Sequence, residues 1–458
     1  MTQTINIFYL HEGAQFDTET VKDFRNRSWL HRELWPFERT AGIYNPRWYD
    51  NNKFAFNIVN NGNVSALDKN APTIIPCDFQ SSGLAWNDAT GRTTVTEFGS
   101  KYQEVIERMA QDSSIPNKIF LVYSCAEPHY HNDSAFIKSL ALKYPDSKFV
   151  TSASGTVDPV FVWEKEITVG LPNFKWISRQ WYFEQVHERT FVDHKMRRAH
   201  INLEATTPPP NLAADFANRK PRFVMTMKNL RLHRSIASYL VENDRSIIDT
   251  CTYTRNFTIE PRMFRDLEQK NKPSEYITAA RFALKGVREV LAEKDISDTD
   301  KVGIINQMFS SPHKIDLQNC QDDTSPPAWL YNGAGIALVA SGEENGWGFI
   351  DEKPIIAMLF KKPFLYFGGR GLYEELEKMK FKTFRDYFDL SFAVGETCYQ
   401  RVKGFYNVVK AEASKGEFEF WDGLASLQED AEYNYNWFKS GDFKYDNNNK
   451  FFEEILSV

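Results

Sequence analysis

Arg222-Phe-Val-Met-Thr-Met227, running straight into Lys228-Asn-Leu-Arg-Leu-His-Arg234, is the stretch that decides the fold. The first part reads as a buried strand. The second leads into a helix expected over Leu230 to Asn243, with Ile236, Leu240 and Val241 on one face. A strand feeding a helix is half of a βαβ unit, the building block of parallel sheets covered by helices. Such sheets take ligands at the carboxyl ends of their strands. The turn between strand and helix is therefore a candidate site, and three cations (Lys228, Arg231, Arg234) gather there with His233. Helix N-termini attract anions through unpaired backbone N–H groups and the dipole. Guanidinium groups can then hold a diphosphate in a fork. The competing reading is a set of surface arginines paired with acidic neighbours. Neither GxGxxG nor GxxxxGK[ST] is present, so the turn fits neither a standard dinucleotide site nor a P-loop.

Toward the C-terminus the alternation continues. Strands are expected at Arg245 to Thr250, Gly335 to Ala340 and Pro363 to Phe367, the last ended by Gly368-Gly369. Helices are expected at Ala279 to Lys294, Pro354 to Phe360 and Leu372 to Met379. Toward the N-terminus, Pro208-Pro-Pro210 breaks the pattern, which marks Thr206 to Pro210 as a linker. Before it, strands are expected at Ile5 to Leu10, Lys118 to Tyr123, Lys148 to Val150 and Phe174 to Ile177. The spacing predicts an α/β domain over 1–205, a linker over 206–219, a second α/β domain over 220–410 and an acidic helical tail over 411–458.

Composition narrows the class. Of 458 residues, 42% are hydrophobic and 25% charged, as expected of a globular chain with about two domains. Aromatic residues make up 15%, which suits either a bulky core or a cleft that stacks sugars or bases. No apolar run approaches the roughly 18 residues of a membrane span, and residues 1–10 lack the pattern of a secretory signal. The five isolated cysteines have no metal-binding spacing, so a cytoplasmic protein with reduced thiols is expected. Net charge is -6, unevenly spread: Arg219 to Val290 carries 15 Lys and Arg against 8 Asp and Glu. Overall acidity argues against a chain coated in DNA, yet leaves room for one basic groove.

A second constellation is Ser341-Gly-Glu-Glu-Asn-Gly-Trp-Gly-Phe-Ile-Asp-Glu-Lys-Pro354, at the carboxyl end of the expected strand Gly335 to Ala340. There Glu352 could accept hydrogen bonds from ribose hydroxyls and Lys353 could neutralise phosphate. Glu352 could equally do no more than favour the start of a helix. The segment Glu343 to Gly369 resembles the donor-binding region of GT-B glycosyltransferases. It is most similar to the α-1,3-fucosyltransferase-like group and to glycosyltransferases of phages and large viruses. The likeness is carried by Glu344-Asn345, Phe349, Glu352-Lys353 and Lys362-Pro363-Phe364 through Gly368-Gly369. Phe381-Lys-Thr-Phe384, Tyr387-Phe-Asp389 and the basic run Lys228 to Arg234 extend it, so that it covers roughly Lys220 to Val394. Gly346-Trp-Gly348 departs from the group's pattern and leaves the donor sugar open.

The resemblance implies a GT-B fold, two facing Rossmann-like domains with a cleft between them. It implies a metal-independent enzyme that needs no cofactor beyond a nucleotide-sugar donor, with a UDP-sugar expected. No compact DxD at a strand end argues for a metal. Lys228, Arg231, His233, Arg234, Glu344, Asn345, Phe349, Glu352 and Lys353 would bind the donor. A base from the first domain would deprotonate the acceptor hydroxyl, with Glu127, His129 and Asp78 as candidates and Glu12 as a rival. The viral likeness suggests 5-hydroxymethylcytosine in double-stranded phage DNA as acceptor, in the cytoplasm of an infected bacterium. Arg189, Lys195, Arg197 and Arg198, interleaved with Trp176, Trp181, Phe183 and Phe191, would contact that DNA. The same run also reads as an amphipathic helix packed on a core. A glycan or lipopolysaccharide acceptor, and an inactive GT-B scaffold that only binds, are the alternatives.

Overall fold

The structure is a computed structural model that describes residues 3–8, 53–59, 64–78, 84–87, 92–95, 106–123, 139–153, 156–157, 171–178, 187, 191, 220–227, 230–255, 259, 284–310, 328–342, 346–347 and 350–457. Two units divide the chain. Met1–Glu184 together with Asp442–Val458 form one, and Gln185–Gly441 form the other.

The first unit is built on six strands: β1 (Gln3–Phe8), β2 (Phe54–Val59), β3 (Thr73–Asp78), β4 (Lys118–Tyr123), β5 (Lys148–Ala153) and β6 (Phe174–Ser178). All neighbours are parallel, in the order β2-β1-β3-β4-β5-β6. Strands of this kind carry apolar residues on both faces because helices cover both. Phe8, Ile75, Phe120 and Phe149 belong to the apolar cluster on one face, and Ile7, Ile74, Ile119 and Val150 to the cluster on the other. Successive residues thus part to opposite faces, as the pleat demands.

The last helix of the chain, Asp442–Leu456, completes the second cluster with Phe451, Phe452 and Ile455. The Phe452 ring lies 5.0 Å from that of Phe56. Lys175 Nζ, on β6, donates to the Glu454 carbonyl at 3.1 Å and to Ser457 Oγ at 2.7 Å. Part of the acidic C-terminal stretch is therefore a cover for the first sheet, since Phe451, Phe452 and Ile455 are buried while Asp442 and Glu453 are exposed.

The second unit carries β7 (Phe223–Met227), β8 (Cys251–Arg255), β9 (Ile336–Ala340) and β10 (Phe364–Phe367), parallel and in the order β8-β7-β9-β10. The named helices of this unit are α1 (Leu232–Glu242), α2 (Arg245–Ile248), α3 (Asp298–Phe309), α4 (Ala328–Asn332), α5 (Glu352–Leu359), α6 (Leu372–Lys378), α7 (Cys398–Ser414), α8 (Glu417–Ala425) and α9 (Gln428–Ser440). The fold is thus α/β, with two parallel sheets that share one winding: the second strand lies on one side of the first and the third on the other.

One expectation fails. Arg245 to Thr250 is not a strand: Arg245–Ile248 is a helical turn, and the strand follows it at Cys251–Arg255. Asp244 starts the turn by accepting from Ser246 N at 3.0 Å. The true strand, Cys-Thr-Tyr-Thr-Arg, looks too polar to be interior. It is buried along its whole length, and its polar side-chain groups find partners. Glu242 accepts from Tyr253 Oη at 2.8 Å and from Arg255 Nε at 2.7 Å.

Candidate functional site

The strand order places the site. From β7 the chain moves to β8 on one flank, and β9 then lies on the other. The crevice between β7 and β9, at their carboxyl ends, is the topological switch point where doubly wound sheets accept ligands. Arg231, His233, Arg234 and Ser341 come together at that edge.

Arg231 occupies the N-cap position of α1 in an extended conformation (φ -145°, ψ 154°), and its own side chain makes no cap hydrogen bond. The first turn of α1 contains no acidic residue. The helix dipole therefore favours negative charge at this end, and Arg231, half-buried at the N-cap, adds a positive one. His233 and Arg234, in the same turn, are instead buried at 0% and 3% exposure. Both reach the Ser341 carbonyl oxygen, His233 through Nε2 at 2.8 Å and Arg234 through Nη2 at 2.6 Å. A carbonyl oxygen offers no proton, so His233 carries one on Nε2. Ser341 N donates in turn to the Phe367 carbonyl at 2.8 Å. The residue after β9 is thus pinned to α1 on one side and to the end of β10 on the other.

The second cation lies at the start of α5. Asp351 is its N-cap and accepts from Lys353 N at 3.0 Å. The Lys353 ammonium stands 2.7 Å from the other oxygen of the same carboxylate. Asp351 is almost wholly buried, whereas Lys353 keeps a quarter of its side chain exposed. Tyr366, on β10, places its hydroxyl 3.4 Å from Asp351 Oδ1. Glu352 is the first residue of α5, one position past the cap. Beyond β10 the chain turns through Gly368 (φ 145°) and Gly371 (φ 70°), conformations that favour glycine. Tyr366 N donates to Tyr373 Oη at 2.7 Å, and burial pushes the Tyr373 phenol up, so it stays neutral.

Arg231, His233, Arg234, Glu352 and Lys353 are therefore placed at helix starts that follow the strands of this sheet. Lys228, Glu344, Asn345 and Phe349 lie outside the described residues, as do Glu127, His129, Arg189, Lys195, Arg197 and Arg198. Asp78 is the last residue of β3, in register with Tyr123 of β4, at the carboxyl edge of the first sheet. Among the described residues no three His, Cys, Asp or Glu side chains converge to hold a metal ion. No helix among them is long and apolar enough to cross a membrane.

Sequence reasoning missed Ser341 as an anchor and Asp351 as the cap that holds Lys353. Asp351 had a readable signal, an aspartate just before a helix whose first turn contains Pro354. Ser341 had none, because it contributes a main-chain carbonyl.

No protein-family model matches the chain, and no curated protein matches it in sequence. Solved structures do match. One is a GtfA/B complex, at 12% identity and a TM-score of 0.32, covering 86% of this chain. The chain spans 58% of the length of that structure. Another is the α,α-trehalose 6-phosphate synthase from Burkholderia multivorans, at 10% identity and a TM-score of 0.38, covering 100% of this chain and 97% of that one.

Proposed function

We propose that this chain is a glycosyltransferase of the GT-B type whose second unit binds a nucleotide-sugar by its diphosphate. The observation that carries the reading is the switch point of the second sheet, where α1 starts with Arg231 at its N-cap and no acidic residue in its first turn. In this reading Arg231, Lys228 and Lys353 meet the diphosphate. Lys353 exchanges the Asp351 carboxylate for phosphate oxygens, while Glu352 takes the ribose hydroxyls. His233 and Arg234 shape the site through Ser341, because both are buried and already bound to its carbonyl.

The chemistry needs three things. The cations stabilise the charge that grows on the diphosphate as its bond to the anomeric carbon breaks. A base takes the proton of the acceptor hydroxyl, and the oxygen then bonds to the anomeric carbon. Asp78, Glu127 and His129 follow or end strands of the first sheet and are the candidates for that base. The donor we favour is a UDP-sugar. The acceptor we favour is 5-hydroxymethylcytosine in duplex DNA, met by the basic and aromatic run that includes Arg189, Lys195, Arg197 and Arg198.

The test has two stages. Calorimetric titration with UDP and GDP should give saturable binding of one of them; binding of neither would remove the site reading. Incubation with UDP- and GDP-sugars and hydroxymethylated duplex DNA, followed by mass spectrometry of the nucleosides, should show a pentose or hexose increment on the modified base. Donor hydrolysis without that increment would retain the enzyme and discard DNA as its acceptor.

A further inference from the structure

Arg401 is charged and almost fully buried, and its guanidinium donates to three main-chain oxygens. Its Nε donates to the Gly368 carbonyl at 2.7 Å. Its Nη1 donates to the Gly395 carbonyl at 2.8 Å and to the Glu396 carbonyl at 3.2 Å. Gly368 is the first residue past β10, at the carboxyl edge that carries the candidate site. Gly395 and Glu396 belong to the turn just before α7. One guanidinium thus ties two turns together, and at Gly368 it holds a backbone with φ 145°.

The grip is built in successive layers. Arg401 and Phe405 are four residues apart on α7, so they share a face. Phe405 stacks on Phe367 at 4.2 Å and 29°, one residue before Gly368. Phe367 in turn lies 5.9 Å from the His233 ring at the start of α1. At Gly395 a Cβ would come within 3.1 Å of Arg401 Cγ, so glycine leaves room for the arginine stem. At Gly404 a Cβ would come within 2.4 Å of the Phe392 Cβ, which lets α7 approach the turn before it. The face of α7 therefore fixes the end of β10 residue by residue.

We propose that Arg401 is a positioning residue for the ligand site: it sets the Gly368–Gly371 turn so that the backbone beyond β10 stands where a nucleoside diphosphate meets it. This rests on the reading of the carboxyl edge as a nucleotide-sugar site. A planar fork serves several carbonyls at fixed angles, and an ammonium cannot copy that geometry. Arg401→Lys keeps the charge and reaches fewer of the oxygens. Arg401→Gln removes the charge and most of the donors.

The test compares the full-length wild type with Arg401→Lys and Arg401→Gln, using UDP as the probe. Amide exchange over residues 368–371 and 395–397 should quicken about tenfold in Arg401→Gln, with α1 unchanged. UDP affinity should fall about fivefold or more in Arg401→Gln and less in Arg401→Lys. Donor hydrolysis should show KM rising more than kcat falls. If Arg401→Gln does not fold, Arg401→Lys carries the comparison. Folded variants that bind UDP as the wild type does, or that exchange no faster in these turns, overturn the positioning role alone. A wild type that binds neither UDP nor GDP overturns the underlying reading and the proposal with it.

Discussion

The Lys353 ammonium rests 2.7 Å from the Asp351 carboxylate, which also caps the helix they share. One buried carboxylate does two jobs, and substitutions separate them. Asp351→Ala loses both cap and ion pair and should cost about 1–2 kcal/mol of stability. Asp351→Asn keeps a side-chain oxygen that caps as well as aspartate, so it should cost clearly less. Urea unfolding of the two variants checks this. Equal losses would mean that the ion pair, and not the cap, secures the start of α5.

Two arginines three residues apart should behave in opposite ways. Arg234 is buried on the Ser341 carbonyl, so Arg234→Met should lower stability by about 1–3 kcal/mol. Arg231 stands half-buried at the N-cap position. Arg231→Ala should cost about 1 kcal/mol or less in stability and weaken UDP binding about tenfold, roughly 1.4 kcal/mol. Thermal unfolding and calorimetry on both variants test the contrast. A large affinity loss in a stable Arg234→Met, with none in Arg231→Ala, would reverse the two assignments.

Acid should unsettle the second unit through Asp244. Burial by itself would raise its pKa, but hydrogen bonds from Ser246, Tyr406 and Lys410 outweigh burial and hold it well below the usual carboxylate range. A pKa lower in the folded than in the unfolded state means that the unfolded chain binds the proton first. The stability from this group is therefore complete above about pH 4 and is lost as pH falls toward the folded value. Asp244→Asn should flatten stability against pH below about pH 4. An unchanged acid limb would show that other carboxylates govern it.

The C-terminal helix should matter most to the first unit, far from it in sequence. Phe452 is buried against Phe54 and Phe56 of β2. Phe452→Ala should cost about 3–5 kcal/mol, the usual range for a buried phenylalanine. Amide exchange in β1 and β2 should quicken before exchange in β7. A loss shared evenly by both sheets would mean that the chain unfolds as one cooperative body.

Close approach of α7 predicts a contrast between glycines. Gly404→Ala drives a Cβ against Phe392 and should destabilise by about 1–3 kcal/mol. Gly416→Ala meets nothing within 4 Å and, as the N-cap of α8, should cost no more than about 1 kcal/mol. Chemical denaturation of the pair decides the matter; a neutral Gly404→Ala would mean that the turn before α7 yields easily.

Local pattern sufficed where local physics decides. The apolar runs at Lys118 to Tyr123 and Arg222 to Met227 could only be interior strands, and Leu372 to Met379 had the spacing of a helix. From those alternating elements the sequence alone determined an α/β chain with parallel sheets and a cation-rich turn at Arg231 to Arg234. It did not determine where polar strands lie. Burial of Cys251–Arg255 depends on partners from other elements, among them Glu242, which accepts from Tyr253 and Arg255, and Ser310, which accepts from Arg255. Nor could it assign the arginines, for Arg231, Arg234 and Arg401 look alike as letters. Burial separates them, and burial depends on which main-chain oxygens the fold brings near: Ser341 for Arg234, Gly368 and Gly395 for Arg401. The acidic C-terminal stretch has the same explanation. Its charges are local and legible, whereas the sheet that buries Phe451, Phe452 and Ile455 is built from the opposite end of the chain, and only tertiary packing joins the two.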